Sequence, residues 1–291
     1  MSKRRKSPQT APKREKVRDI FVARPFEGLA DETEWIALRE LVPAASAPLH
    51  LKPEIIAEYG DRPVTLSTVL PMAWPAMTRQ DGRVFVGLQR HVQSGDVSRD
   101  LAVAILRALQ TEPGDTVSVP ALPGEGPRLQ DILDDGPLDI TMHEGFDYWL
   151  DAEQAEDANV KASLERANAS IYPTSRLSAA HAAYWCRVPD KAHVRWVLPD
   201  QEDGALDALA RLSAAGDLLL GGDTKFAGMF RAHGLLVPVW DVPREPEAAD
   251  WEAPLADFAK RYSDTLGESA PLDAAARRAK QGLVGRQLTL R

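Results

Sequence analysis

The chain has 291 residues, 44% hydrophobic and 27% charged, with a net charge of −8 and a single cysteine. That composition supplies apolar material for a large core and excludes a fibre, a wholly disordered chain and a disulfide scaffold. No apolar run approaches the roughly 20 residues that a membrane span needs, so no span is predicted and a cytoplasmic protein is expected.

Charge is unevenly placed. Residues 1–18, "MSKRRKSPQTAPKREKVR", hold eight Lys/Arg and one acid, which leaves −15 on the remainder of the chain. Polar, interrupted by proline and without apolar periodicity, residues 1–19 are expected to form a disordered basic tail. Within it Lys3, Arg4, Arg5, Lys6, Lys13 and Arg14 are candidate contacts to an acidic protein or ribonucleoprotein. The acidic body argues against a broad nucleic-acid surface, so nucleic acid is expected to be met through the tail only.

From residue 20 onward the chain reads as two related α+β halves. "LRELVPAASAPLHL" (38–51) and "LERANASIYPTSRL" (164–177) each pass from a helical turn through small residues and a proline into an extended run. "LPMAWPAMTRQDGRVFVGLQ" (70–89) and "HAAYWCRVPDKAHVRWVLPD" (181–200) each place a polar turn between β-rich runs and read as hairpins. In the second, a turn centred on Asp190 and Lys191 sets Trp185 across from Trp196. Strand alternation then puts Cys186 and His193 on the other face and His181 on the tryptophan side.

A helix follows each hairpin. Leu101, Ile105 and Leu106 mark the first, and Leu206, Leu209 and Leu212 the second, which stops at Gly216. Strands are expected at the Val-rich "VSV" (117–119) and at 218–220. Short helices are expected at "PRLQDILDDG" and "KFAGMFRAHG", with closing strands at "PLDITM" and "LLVPVWDV". Each half is therefore helix–strand–hairpin–helix–strand–helix–strand. Two such tandem repeats, at 20–149 and 150–245, are expected to pack about a pseudo-twofold axis. Residues 246–291 add a helix with one apolar stripe (Trp251, Leu255, Phe258, Tyr262, Leu266) and a basic end.

Chemistry is sparse by comparison. The chain has no G-x-x-x-x-G-K-[ST], no G-x-S-x-G, no H-E-x-x-H and no C-x-x-C, and neither a metal site nor a cofactor is predicted. Gly221, Gly222, Thr224 and Lys225 in "LGGDTKF" form a candidate anion loop before the next helix. His143 and His233 are candidates for acid–base work because imidazole titrates near neutrality, with Arg231 a companion to His233. No spacing ties either histidine to a nucleophile, and His233 in a helix's last turn would equally suit the helix dipole.

The strings "VARPFEGLADETEWIALRELVPAASAPLHL", "SGDVSRDLA", "AAYWCRVPDKAHVRWVLP", "FRAHGLLVPVWDVP" and "GLVGRQLTLR" resemble an actinobacterial family, domain of unknown function 5926. The resemblance covers nearly all of the chain after residue 21 and implies no activity. Some family members carry an N-terminal Cys-rich SEC-C zinc module, which a chain with one cysteine does not contain. The expectation from sequence is a binding or adaptor protein, ribosome- or translocation-associated, that uses basic ends on an acidic body. An enzyme with a small-molecule site between the repeats is the alternative, and RNA binding through the tail a third reading.

Overall fold

A computed structural model describes residues 18–151 and 157–285. The first half begins with α1 (Glu32–Glu40), β1 (Ala45–Leu49), α2 (Pro53–Tyr59) and β2 (Val64–Val69). It continues through β3 (Ala76–Thr78), β4 (Val84–Gln89), α3 (Val97–Leu109), α4 (Leu129–Ile132) and β5 (Thr141–Met142). The second half has α5 (Ala158–Asn168), β6 (Thr174–Leu177), β7 (Ala183–Arg187), β8 (Ala192–Trp196), α6 (Glu202–Ala215), β9 (Lys225–Ala232) and β10 (Leu235–Val242). Two further helices follow, α7 (Glu252–Leu266) and α8 (Ala274–Val284). The fold is α+β, with two five-stranded sheets ordered β3-β4-β2-β1-β5 and β6-β7-β8-β10-β9.

Local chemistry explains the helices that bracket the sheets. The Asp96 side chain caps α3 by accepting from the Arg99 N–H, and Leu101, Ala104, Ile105 and Ala108 form one buried face. α6 ends in a Schellman motif, with Asp217 N–H bonded to Leu212 O and Gly216 N–H to Ser213 O. Gly216 takes φ 84° there, which a residue with a Cβ adopts reluctantly. Trp251, just before α7, and Leu255, Phe258 and Tyr262 on it are buried against sheet two, as their spacing predicts.

Three apolar clusters set the layers. The largest joins the inner faces of both sheets with α1 and α3: Leu66 and Val86 of sheet one share it with Tyr184, Phe230 and Val237 of sheet two. A second lies between the outer face of sheet two and α6, α7 and α8. In the third, Leu164, Ala167 and Ile171 of α5 and its C-terminal flank pack with Leu70, Phe85 and Trp149 on the first half. The halves thus share one core. The seam between them is crossed in both directions, by α1 onto sheet two and by α5 onto the first half.

The helix expected at "KFAGMFRAHG" is strand β9, joined to β10 by a two-residue turn in which His233 (φ 47°) and Gly234 (φ 90°) both lie left-handed. A glycine ending an apolar run suits a helix cap and a type I′ hairpin equally, and burial on both faces of β9 favours the strand. The runs at 117–119 and 218–220 join neither sheet. β2 and α2 went unread; β2 pairs parallel to β4, whereas sheet two is wholly antiparallel. Helix, strand, hairpin and helix recur in both halves through α3 and α6, with α2 and β2 interposed in the first half alone, and the halves diverge after them.

In the β7–β8 hairpin the register is Ala183↔Trp196 and Trp185↔Val194, because the turn closes one residue earlier, with Val188 N–H on Lys191 O. The tryptophans share a face as diagonal neighbours, and Cys186 stands opposite His193 on the other face. His181 leaves the tryptophan side: Ala182 at φ 57° breaks the alternation, and the imidazole Nε2 lies 3.1 Å from Asp31.

Candidate functional site

The residues singled out in the sequence do not converge. Arg231 is held by Glu202 at the surface. His233, two residues on, bonds through Nε2 to Glu40 Oε1 at 2.9 Å and meets Phe26 edge-on. Burial pushes the Glu40 carboxyl up, but the hydrogen bond and charge of His233, with Arg39, outweigh it and hold Glu40 below its usual value. The glycine loop closes on itself: Thr224 Oγ1 donates to Gly221 O (2.8 Å) and accepts from Gly221 N–H (3.1 Å). The amide wanted for an anion is therefore occupied. Lys225 is exposed, and the loop leads into a strand, so no helix N-terminus stands behind it. Lys3, Arg4, Arg5, Lys6, Lys13 and Arg14 lie outside the described residues.

His143 alone falls at a cleft. It follows β5, its Nε2 lies 2.8 Å from Ser46 Oγ, and its ring stacks on Tyr148 at 4.0 Å. Tyr148 in turn bonds to Ser67 Oγ at 2.7 Å. Burial lowers the His143 pKa and favours the neutral ring. The cleft, of about 630 Å³, runs along the seam between Met142 and His143 on one side and Thr174 and Arg176 on the other. A smaller hollow of about 220 Å³ adjoins it, sharing Pro43 and Thr174, and reaches Cys186 and Arg195.

Both long walls of the cleft are sheet edges, since β5 ends sheet one and β6 starts sheet two. Antiparallel residues alternate between bonding to the partner strand and facing away from it. Arg187 N–H bonds to Pro173 O at 2.9 Å, so in β6 it is Ser175 and Leu177 that continue the ladder to β7. The main-chain groups of Thr174 and Arg176 face the free edge. On the opposite wall His143 N–H bonds to Ala44 O at 2.9 Å, which leaves those of Met142 facing outward from β1.

Beneath the cleft the two halves are tied by a buried acid. Glu34 of α1 is fully buried and accepts from Tyr184 Oη at 2.6 Å and from Ala182 N–H at 3.2 Å. Arg176 Nη2 pairs with it at 2.6 Å, and His181 lies alongside. Burial and the Glu34 charge push the Tyr184 phenol far above its usual value, so it remains a donor. Sequence reasoning missed this cluster. The available signal was Glu34 lying on the stripe that continues through Leu38 and Leu41, an acid at i on an i+4, i+7 apolar face.

Arg195 has no such partner. It sits on the same inner face, with Tyr184 and Val239 as its cross-strand neighbours. Its Nη2 donates to Leu41 O at 3.1 Å, while its Nε is buried without a partner. Among the described residues no carboxylate forms an ion pair with it.

Residues 25–291 match the model of the family of unknown function DUF5926. The chain belongs to that family. No curated protein and no solved structure matches the chain. In this DUF5926 member the cleft that His143 lines lies on the seam between the halves. Among the described residues no three His, Cys, Asp or Glu side chains group closely enough to hold a metal ion, and no helix is long and apolar enough to cross a membrane. What the seam offers is unpaired main chain on two opposed edges, a neutral histidine bonded to a serine, and an arginine without an acid.

Proposed function

We propose that the chain is a protein-binding adaptor that takes an extended segment of its partner into the seam cleft as an added strand. The observation that carries this reading is the outward-facing main chain of Thr174, Arg176 and Met142 on opposite walls of one cleft. Unpaired edge N–H and C=O groups are a template for another strand, and peptide-recognition domains use them in this way. In this reading the basic residues of the N-terminal segment add electrostatic attraction to an acidic partner or a ribonucleoprotein.

Thr174→Pro tests the reading. It deletes an N–H that faces away from β7 and leaves the β6–β7 ladder intact, a position where proline is tolerated. Peptides selected from a random display library on the full chain should lose at least about tenfold in affinity for this variant, the worth of one good hydrogen bond. They should also slow hydrogen exchange at the Thr174 and Arg176 amides. Selected peptides that bind both proteins equally and leave those amides unprotected would overturn it.

A second reading, an enzyme at the seam, is favoured by the Ser46–His143 pair, because a neutral imidazole can accept a serine proton. No carboxylate among the described residues pairs with His143 to orient it, so the adaptor reading ranks first.

A further inference from the structure

Charges that are buried in proteins are paired, because an isolated ion loses its hydration and gains nothing in return. On sheet two the fully buried acid Glu34 meets this rule through Arg176, and the half-buried Asp241 meets it through Lys191. Arg195, partly buried on the inner face of the same sheet, has no carboxylate paired with it among the described residues. Only the Leu41 carbonyl is bonded to its guanidinium. Its Nε is buried and unpartnered, while Nη1, also without a partner among the described residues, is not sealed off. Glu40 lines the same hollow but is already engaged by Arg39 and His233. Two titratable side chains stand beside it on that face, His193 two residues earlier on β8 and the thiol of Cys186, diagonal to it across β7 and β8.

We propose that the hollow between the end of α1 and strands β7 and β8 is a carboxylate-binding pocket, with Arg195 as the cation that receives the ligand. The fork of a guanidinium matches a carboxylate in shape and in donor spacing. The hollow holds about 220 Å³, room for a carboxymethyl-sized group. It opens beside Thr174, so a peptide lying along β6 would direct a side-chain or terminal carboxylate into it. Glu40, which lines the hollow, and Glu144, which lines the adjoining cleft, disfavour a doubly charged phosphate more than a singly charged carboxylate. This deepens the adaptor reading by naming the chemistry of the captured segment, and rests on that reading for the peptide but not for the pocket.

Cys186 supplies the probe. It is the only cysteine in the chain and lines the same hollow. Iodoacetate and iodoacetamide alkylate a thiol by the same step: the thiolate sulfur forms the S–C bond, iodide leaves, and the thiol proton passes to buffer. The two reagents differ in the carboxylate. On the full-length protein, followed by intact mass, iodoacetate should label Cys186 faster than iodoacetamide by about tenfold relative to the ratio for N-acetylcysteine, a modest case of electrostatic steering. In Arg195→Met the ratio should fall to that of the free thiol. An unchanged ratio in Arg195→Met would overturn the proposal.

A second measurement needs no variant. Acetate, but not acetamide, should slow iodoacetamide labelling of the unaltered chain; equal effects of the two would overturn the pocket. Short alternating valine–threonine peptides then separate the sources. Protection by a free C-terminus but not by its amide assigns a terminal carboxylate. Protection by an amidated peptide with an internal glutamate assigns a side chain. Protection by inorganic phosphate and by neither peptide would overturn the carboxylate assignment. An iodoacetate preference with no peptide protection leaves the pocket standing and removes strand addition; peptide capture lost in Thr174→Pro without an iodoacetate preference does the reverse.

Discussion

Two charges flank Tyr184 on the seam, the fully buried Glu34 and the partly buried Arg195. Glu34 has a phenol, a main-chain amide and a guanidinium around it, whereas Arg195, directly across from Tyr184, has a single carbonyl. The packing of α1 against sheet two takes Glu34 wholly and Arg195 partly out of water. At Glu34 each partner comes from the other half of the chain, so the set closes only when the halves are docked: it is a lock. At Arg195 the counter-ion that desolvation requires is not supplied by the described residues, and an open hollow lies where it would sit. Side by side, the two show how a satisfied polar network differs from one that awaits a ligand.

The difference is open to direct attack. The largest effect is expected at the lock: Glu34→Gln should destabilise the protein by about 3 kcal/mol in urea unfolding, the low end for breaking a buried pair. The low end applies because the Arg176 side chain is 38% exposed and can be rehydrated. Tyr184→Phe removes one hydrogen bond to the same charge and should cost about 2 kcal/mol by the same assay. Arg195→Met should behave oppositely, leaving stability unchanged or raising it by about 1 kcal/mol, because it removes a charge that lacks a partner. A loss comparable to that of Glu34→Gln would erase the distinction.

The smallest effect concerns pH and the nearby Glu40–His233 contact. With its folded pKa below the ordinary value of about 4.3, Glu40 contributes stability that is present above that pH and is lost as pH falls through the folded value. Glu40→Gln should flatten that part of the acid limb in a series of denaturation midpoints. A limb that is as steep in the variant as in the parent would show that other carboxylates carry it.

Legibility in the sequence followed the range of the interactions. α3, α6 and α7 are written in apolar spacing and caps, and both hairpins in alternation around polar turns, all within windows of some fifteen residues. β9 was misread because Gly234 and its apolar run have the same local chemistry in a helix end and in a type I′ turn; only pairing with β10 separates them. The β7–β8 register was missed by one residue at the turn, which moves the tryptophan pair by two. The seam was illegible for a different reason. Glu34 meets Tyr184 and Ala182 across about 150 residues of chain, and Arg195 meets Leu41 across a similar gap. Nothing in the local pattern around Arg195, "HVRWV", records that its Nε is buried without a partner. Of the histidines singled out, His143 reached the cleft because it ends an edge strand, whereas His233 went to a turn.

The claim at the centre is that the seam is closed at Glu34 and open to a carboxylate at Arg195. A urea titration of the parent chain and of Arg195→Met, each with and without saturating acetate, tests it most directly, since a ligand that binds only the folded state raises its stability. The account predicts that acetate moves the midpoint of the parent upward and leaves that of Arg195→Met in place. Equal movement of both midpoints, or of neither, would contradict it.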